Sequence, residues 1–295
     1  MSSIRAHSLF QSHRVTLAVS RCRGYYYAFE MTSTYLGAIL DAHRRRAERD
    51  QRPWRDRLDA PTYVGPSLYD VLRGEGSDYV TVIAEIKRRS PAKGWLNKDL
   101  DAVALARTYC DAGAGAISVL TDAEHFAGSL YDLEAIHREV PLALLRKDFT
   151  VCENDVLDAR DAGAAAVLLI VAALGDDELL GLIELTARCG LEALVEVHES
   201  VEVSRALDVG ARIVGVNQRN LHTFQVDPQH AAALVESIPP TCVTVCESGV
   251  ATTADVKRAA ASGFDAVLVG EAFVTSNSPA TVVRDFAQVA RRRRG

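Results

Sequence analysis

The chain has 295 residues, 48% hydrophobic and 24% charged, with a formal net charge of −6. This is an ordinary globular mixture, and the acidic balance argues against a general nucleic-acid footprint. The longest uninterrupted apolar stretch, Ala164 to Leu174, is too short to cross a bilayer. The six scattered cysteines include no Cys-x-x-Cys pair and the histidines no His-x-x-x-His spacing, so neither a disulfide framework nor a metal motif is read and no metal is expected. Reduced thiols suit a cytoplasmic location.

Residues 1–30 carry Arg5, Arg14, Arg21 and Arg23, several serines and no acid before Glu30. They read as a leader outside the fold. It is either a transit-type peptide or, the favoured reading, a stretch upstream of a natural start at Met31. Residues 31–295 then form one domain. Tyr35, Leu36, Ile39, Leu40 and His43 have helical spacing, with Arg44 to Arg46 opposite. Pro53, Pro61 and Pro66 break up the segment after that helix. A short second helix is expected from Ser67, a plausible cap, to Leu72, with Gly74 as its stop.

From Tyr79 onwards, eight apolar runs recur at regular intervals. They contain, in order, Ile83 to Lys87, Ile117 to Asp122, Leu144 to Asp148, Ala166 to Ala173, Leu194 to His198, Val214 to Arg219, Val243 to Gly249 and Val267 to Glu271. Runs that are apolar on both faces read as buried parallel strands. Gly113, Gly163, Gly210 and Gly263 recur 50, 47 and 53 residues apart, each just before a run. They read as left-handed helix C-caps leading into strands. Each repeat unit, one per glycine, holds two βα modules, so four units give eight. That is the pattern of an α/β (β/α)8 TIM barrel. A doubly wound open sheet would usually show Gly-x-Gly-x-x-Gly after the first strand, and none occurs.

In such a barrel the chemistry sits at the C-terminal strand ends. All runs but the fourth end there in reactive or phosphate-friendly residues. Side chains alternate along a strand, so Glu85 pairs in direction with Lys87, Glu196 with His198, and Asn217 with Arg219. In the third run alternation leaves two choices, Lys147 on one face or Arg146 with Asp148 on the other. Charges converging inside a barrel must pair, and pairing can supply both an acid and a base near neutral pH. The bland alternative is a set of salt bridges sealing the mouth. Ser248-Gly249 and Gly270-Glu271 come after the last two strands, where barrels commonly grip phosphate. Ser90-Pro91-Ala92-Lys93-Gly94 comes after the first strand as a loop able to lie over the site.

At these residues the chain resembles the indole-3-glycerol phosphate synthases, from about Leu36 to Ala290. The likeness rests on Glu85-Ile86-Lys87-Arg88-Arg89-Ser90-Pro91, Phe126-Ala127-Gly128-Ser129-Leu130, Leu145-Arg146-Lys147-Asp148-Phe149, Glu196-Val197-His198, Asn217-Gln218-Arg219-Asn220-Leu221 and Glu247-Ser248-Gly249. It implies ring closure of 1-(2-carboxyphenylamino)-1-deoxyribulose 5-phosphate, with loss of carbon dioxide and water, in tryptophan biosynthesis.

The resemblance also implies roles. Lys147 would be the general acid, which resolves the third run, and Glu196 the proton acceptor. Lys87 would be a second cation near the carboxylate, and Glu85 would hold and tune the lysines. Asn217 and Ser248 would orient the substrate. Arg219, Glu247, Phe149, Leu169, Leu221 and Pro91 would contact it, the apolar fourth run forming a wall for its aromatic ring. Ser90, Gly249, Gly270 and Glu271 would hold its phosphate. A lysine lowered in pKa by burial and neighbouring cations could donate near neutral pH, against the pull of the carboxylates. No cofactor is required by this scheme.

The N-terminal helices at 35–72 would cover the barrel mouth. The expected partner is a phosphorylated small molecule, with no nucleic acid or membrane, for a monomer that at most associates with other tryptophan-pathway enzymes. Trp95 and Glu271 depart from common family residues, and the leader has no counterpart. A Schiff-base aldolase using Lys147 or Lys87, a non-catalytic duplicate and a sister barrel of related pathways are the competing readings.

Overall fold

A computed structural model describes residues 35–220 and 225–294. These fall within one compact unit, Thr34–Gly295. Residues 1–34, including the leader read from the sequence, lie outside the described residues.

Eight parallel strands close into a barrel: β1 (Thr81–Ile86), β2 (Ala116–Leu120), β3 (Ala143–Lys147), β4 (Ala166–Ile170), β5 (Glu192–Val197), β6 (Ile213–Asn217), β7 (Val243–Glu247) and β8 (Ala266–Val269). Each strand pairs with its neighbours in sequence, and β8 returns to β1. The (β/α)8 architecture expected from the eight runs is therefore present. Before the barrel come α1 (Tyr35–Arg49) and α2 (Leu68–Arg73). Around it lie α3 (Ala102–Asp111), α4 (Ala123–Phe126), α5 (Leu130–His137), α6 (Glu153–Asp161), α7 (Asp176–Arg188), α8 (Ser200–Asp208), α9 (Pro228–Glu236), α10 (Thr253–Ala261), α11 (Glu271–Val274) and α12 (Pro279–Ala287). A small hairpin, Arg89–Ser90 against Gly94–Trp95, shapes the loop after β1. Gly113, Gly163, Gly210 and Gly263 all have positive φ, as their reading as helix stops requires.

Strand alternation divides the core in two. One set of side chains, among them Val167, Leu169 and Val195, packs outward under the helices. The other, including Ile83, Leu145, Leu168, Leu194 and Val245, fills the barrel interior. The barrel is thus a packed solid whose working surface is an end.

The two N-terminal helices cover opposite ends, which corrects the expectation that both lie over the mouth. α1 does so, with Leu36 and Ile39 lining the mouth cavity. α2 instead plugs the far end. Its Leu68 and Leu72 are fully buried against the interior set. Its Tyr69 backbone N–H donates to Glu192 at the start of β5, and its Arg73 guanidinium donates to the Pro240 carbonyl just before β7. Ser67 caps α2 through the Asp70 N–H and Gly74 ends it at φ 54°, as read from the sequence. Leu72→Ala should therefore cost about 2–5 kcal/mol of stability, with kcat unchanged because the plug lies at the opposite end from the mouth. Urea titration beside steady-state kinetics checks both halves of that expectation.

Candidate active site

The C-terminal strand ends enclose a cavity of about 620 Å³. Its wall includes Glu85, Lys87, Ser90, Pro91, Lys147 and Phe149, then Glu196, Asn217, Arg219, Glu247 and Ser248, and finally Gly249, Gly270 and Glu271. Sequence reasoning named all of these. Leu221 lies outside the described residues.

Leu169 is placed elsewhere. It is fully buried among the outward side chains of β4, beneath the helices. Ile170 pairs in register with Glu196, and Leu168 and Ile170 face the cavity in its place. The fourth strand does supply an apolar wall, one residue out of phase with the expectation. His198 is a second departure. β5 ends at Val197, so alternation no longer governs the next residue. The His198 ring turns away to the Asn217 carbonyl, 2.7 Å from Nδ1, and packs at a tilt against His230.

Alternation also separates the ambiguous trio of β3. Arg146 points outward and is buried, donating to Asp148 and Thr121. Lys147 points inward. Its Nζ donates to Glu196 Oε2 at 3.0 Å and to Glu247 Oε2 at 2.7 Å. Asn217 Nδ2 donates to the other Glu196 oxygen at 3.0 Å, while Asn217 Oδ1 accepts the Arg219 backbone N–H. Lys87 donates to Glu85. Thus one lysine joins two acids, and a second lysine is held by a third acid on its own strand.

Two glycines make space for this ring. A side chain at Gly215 on β6 would overlap Glu247, and one at Gly270 would overlap Glu85. Their value here is room for a carboxylate inside a crowded barrel. In the loop after β7, Ser248 is held at φ 64° and Gly249 at φ 69°. A left-handed serine is strained. The Gln218 side chain fixes it by donating to the Ser248 carbonyl at 2.7 Å.

The electrostatics differ from the sequence expectation. Burial opposes a charge on Lys147, but Glu196, Glu247 and Glu85 outweigh it and raise its pKa. The pull of the carboxylates therefore wins over depression by burial. The two acids beside Lys147 diverge. Burial pushes Glu247 up to about 7, assisted by Glu196 and opposed by Lys147. Glu196 is also penalised by burial, yet Lys147 and the Asn217 amide hold it below its ordinary value. Neighbouring carboxyls driven apart in this way take different roles, one ionised and one able to carry a proton near neutrality.

The apolar part of the cavity is less legible in the sequence. Leu36 and Ile39 come from α1, Phe126 from α4, and Leu268 from β8. Phe126 stands within a family motif, but sequence reasoning gives it no role. Asp122 caps α4 by accepting the His125 and Phe126 N–H groups, and Gly128 lies where a side chain would meet the Leu120 carbonyl. Those contacts account for the glycine of that motif and for the turn of α4 that precedes it. Lys93, from the loop after β1, pairs with Glu271 after β8 and so bridges those two loops at the mouth.

Comparison with known proteins points one way. The family model for indole-3-glycerol phosphate synthase matches residues 42–286. The chain is 51% identical over 257 residues to the indole-3-glycerol phosphate synthase of Micrococcus luteus, covering 85% of this chain and 96% of that one. It is 51% identical over 252 residues to that of Arthrobacter sp. strain FB24, covering 85% and 92%. Among solved structures, 3-hexulose-6-phosphate synthase from Salmonella typhimurium aligns with TM-score 0.55 at 18% identity, over 71% of this chain and 97% of that one. Thiamine phosphate pyrophosphorylase from Pyrococcus furiosus aligns at 0.53 and 16% identity, over 75% and 96%. These last two show the shared barrel fold alone.

Proposed function

The chain belongs to the indole-3-glycerol phosphate synthase family, and from that premise we propose how its barrel mouth closes an indole ring. The reaction converts 1-(2-carboxyphenylamino)-1-deoxyribulose 5-phosphate to indole-3-glycerol phosphate, carbon dioxide and water, a carboxy-lyase step of tryptophan biosynthesis. The observation that carries the mechanism is the Lys147 ammonium held between Glu196 and Glu247.

The aryl carbon bearing the carboxylate attacks the ribulose carbonyl carbon. Lys147 gives its proton to the carbonyl oxygen as the new carbon–carbon bond forms. A raised pKa does not prevent this, because a developing alkoxide is the stronger base, and the ammonium also stabilises the charge as it develops. Carbon dioxide then leaves and its bonding pair restores the aromatic ring. Lys87 protonates the departing hydroxyl, and Glu196 removes the proton from the adjacent ring carbon, whose bonding pair forms the double bond that completes the indole. Two protons are supplied and one is taken back, so each turnover of the substrate carboxylate consumes one proton. Glu85 holds Lys87, and Asn217 holds Glu196. Arg219 and Ser248 orient the substrate, with Pro91 and Phe149 against it. The backbone N–H groups of Gly249, Gly270 and Glu271, with Ser90, receive its phosphate beside α11, the short extra helix typical of barrel phosphate sites.

The remaining readings have their own support. Among the described residues no helix is long and apolar enough to cross a membrane. The five cysteines of the described residues are unpaired, with Cys189, Cys242 and Cys246 buried, which supports a reducing cytoplasmic location. Exposed large apolar side chains such as Val64, Tyr131 and Val201 lie on separate segments, a loop and two helices, which supports a monomer. The core shared by strands, helices and α2 supports treating 31–295 as a single domain.

The pH–rate profile tests the assignment of the two acids. When protonated, Glu247 donates to Glu196 and weakens it as a base. When ionised, it shares only the lysine and leaves Glu196 free to accept. The ratio kcat/KM should therefore rise with pH through an apparent pKa near 7, the value to which burial drives Glu247. Glu247→Gln should remove that limb. An unchanged limb in this variant would contradict the assignment.

A further inference from the structure

Among the described side chains of α1, His43 is the most deeply buried titratable group, at 2% exposure, and the proposed mechanism does not use it. It stands on the same helix face as Leu36 and Ile39, at spacings of three and four residues. Its Nε2 donates to Asp122 Oδ2 at 2.8 Å. Its Nδ1 faces Asp148 Oδ1 at 3.9 Å and is buried without a hydrogen-bond partner. His125 approaches the same Asp122 oxygen from α4 at 3.3 Å, and Arg146 and Thr121 hold the far oxygen of Asp148.

Each carboxylate that His43 meets sets an aromatic side chain of the cavity. Asp122 Oδ1 accepts the Phe126 N–H at 3.1 Å, and Asp148 Oδ1 accepts the Phe149 N–H at 2.9 Å. The two rings face each other with centroids 6.3 Å apart, and the imidazole sits 5.2 Å from Phe149. One buried ring therefore meets the roof helix, the end of β2 and the end of β3.

We propose that His43 is a positioning residue that fixes the Phe126–Phe149 wall and the α1 roof as one surface for the aromatic ring of the substrate. This rests on the reading that the substrate carries such a ring. A buried ionic cluster adds little net stability compared with apolar packing, but it can hold one arrangement against its alternatives. Here that arrangement is the shape of an apolar slot beside Lys147. The catalytic lysine and acids are not touched by His43, so its loss should act on binding more than on the chemical step.

Steady-state kinetics of His43→Ala, →Gln and →Asn test this, with wild-type turnover of the carboxyphenylamino substrate established first. Absence of wild-type turnover would sink the functional reading; the behaviour of the variants bears on His43 alone. The alanine variant should raise KM about tenfold or more while kcat stays within about threefold, the signature of lost uniform binding. Glutamine places its amide where imidazole Nε2 lies and should restore most of the affinity. Asparagine, one methylene shorter, should not. Should the alanine variant not fold, the glutamine–asparagine contrast carries the test. The proposal is overturned if folded variants lose thermal stability with KM unchanged, if kcat falls instead of affinity, or if glutamine and asparagine behave alike.

Discussion

Lys147→Ala is expected to lower kcat by about 10³-fold or more while the barrel remains folded. The loss combines a general acid, worth about 10²–10⁴, with a fixed positive charge at the developing oxyanion, worth about 10²–10³. The two effects share one atom and do not multiply in full. The fold should survive because Glu247 already titrates near neutrality and can take up a proton when its cation is removed. Lys147→Arg should not rescue turnover, since a guanidinium keeps its proton. Circular dichroism and thermal melting establish the fold, and single-turnover kinetics measure the chemical step. A folded alanine variant retaining more than about a tenth of wild-type kcat would refute the role given to Lys147.

The second large effect concerns Glu196. Glu196→Gln should lower kcat by about 10²–10⁴-fold with KM little changed. The amide keeps the size of the side chain and can still accept from Lys147, but it cannot take a proton. The decarboxylated, still hydroxylated intermediate should then accumulate, visible by mass spectrometry of quenched reactions. Glu247→Gln should be milder, because the proposed task of Glu247 is to hold the lysine. Equal losses in the two variants would contradict the division of labour between them.

The Schiff-base aldolase reading loses support from the same cluster. An amine nucleophile must be neutral, whereas three carboxylates hold Lys147 as an ammonium. The non-catalytic reading has no damaged residue to rest on, for each described member of the predicted polar ring faces the cavity.

Particular residues show what the sequence can and cannot disclose. The strands were legible because parallel β-structure buried on both faces must be apolar throughout. The glycine stops were legible because a positive φ, which glycine adopts readily, ends those four helices just before a strand. The phase of alternation was not. Run composition alone could not choose between Arg146 and Lys147, and the same ambiguity misplaced Leu169. Phase is settled by register, as in the pairing of Ile170 with Glu196 across β4 and β5. Local pattern was equally silent on which barrel end α2 would cover, since Leu68 and Leu72 mark only an apolar face. The rise of the Glu247 pKa depends on burial at an empty Gly215 position and on Glu196, with Lys147 opposing it, all meeting in space. His43, Asp122 and His125 likewise form no sequence motif, and only the fold brings them within reach of one another.

The most direct measurement is product formation by the purified wild-type chain from the carboxyphenylamino substrate. Indole absorbance would be followed together with released carbon dioxide. Indole-3-glycerol phosphate and carbon dioxide are expected in a one-to-one ratio, with neither above background for Lys147→Ala. A folded wild-type protein that forms no indole, or an alanine variant that forms it at the wild-type rate, would contradict that expectation.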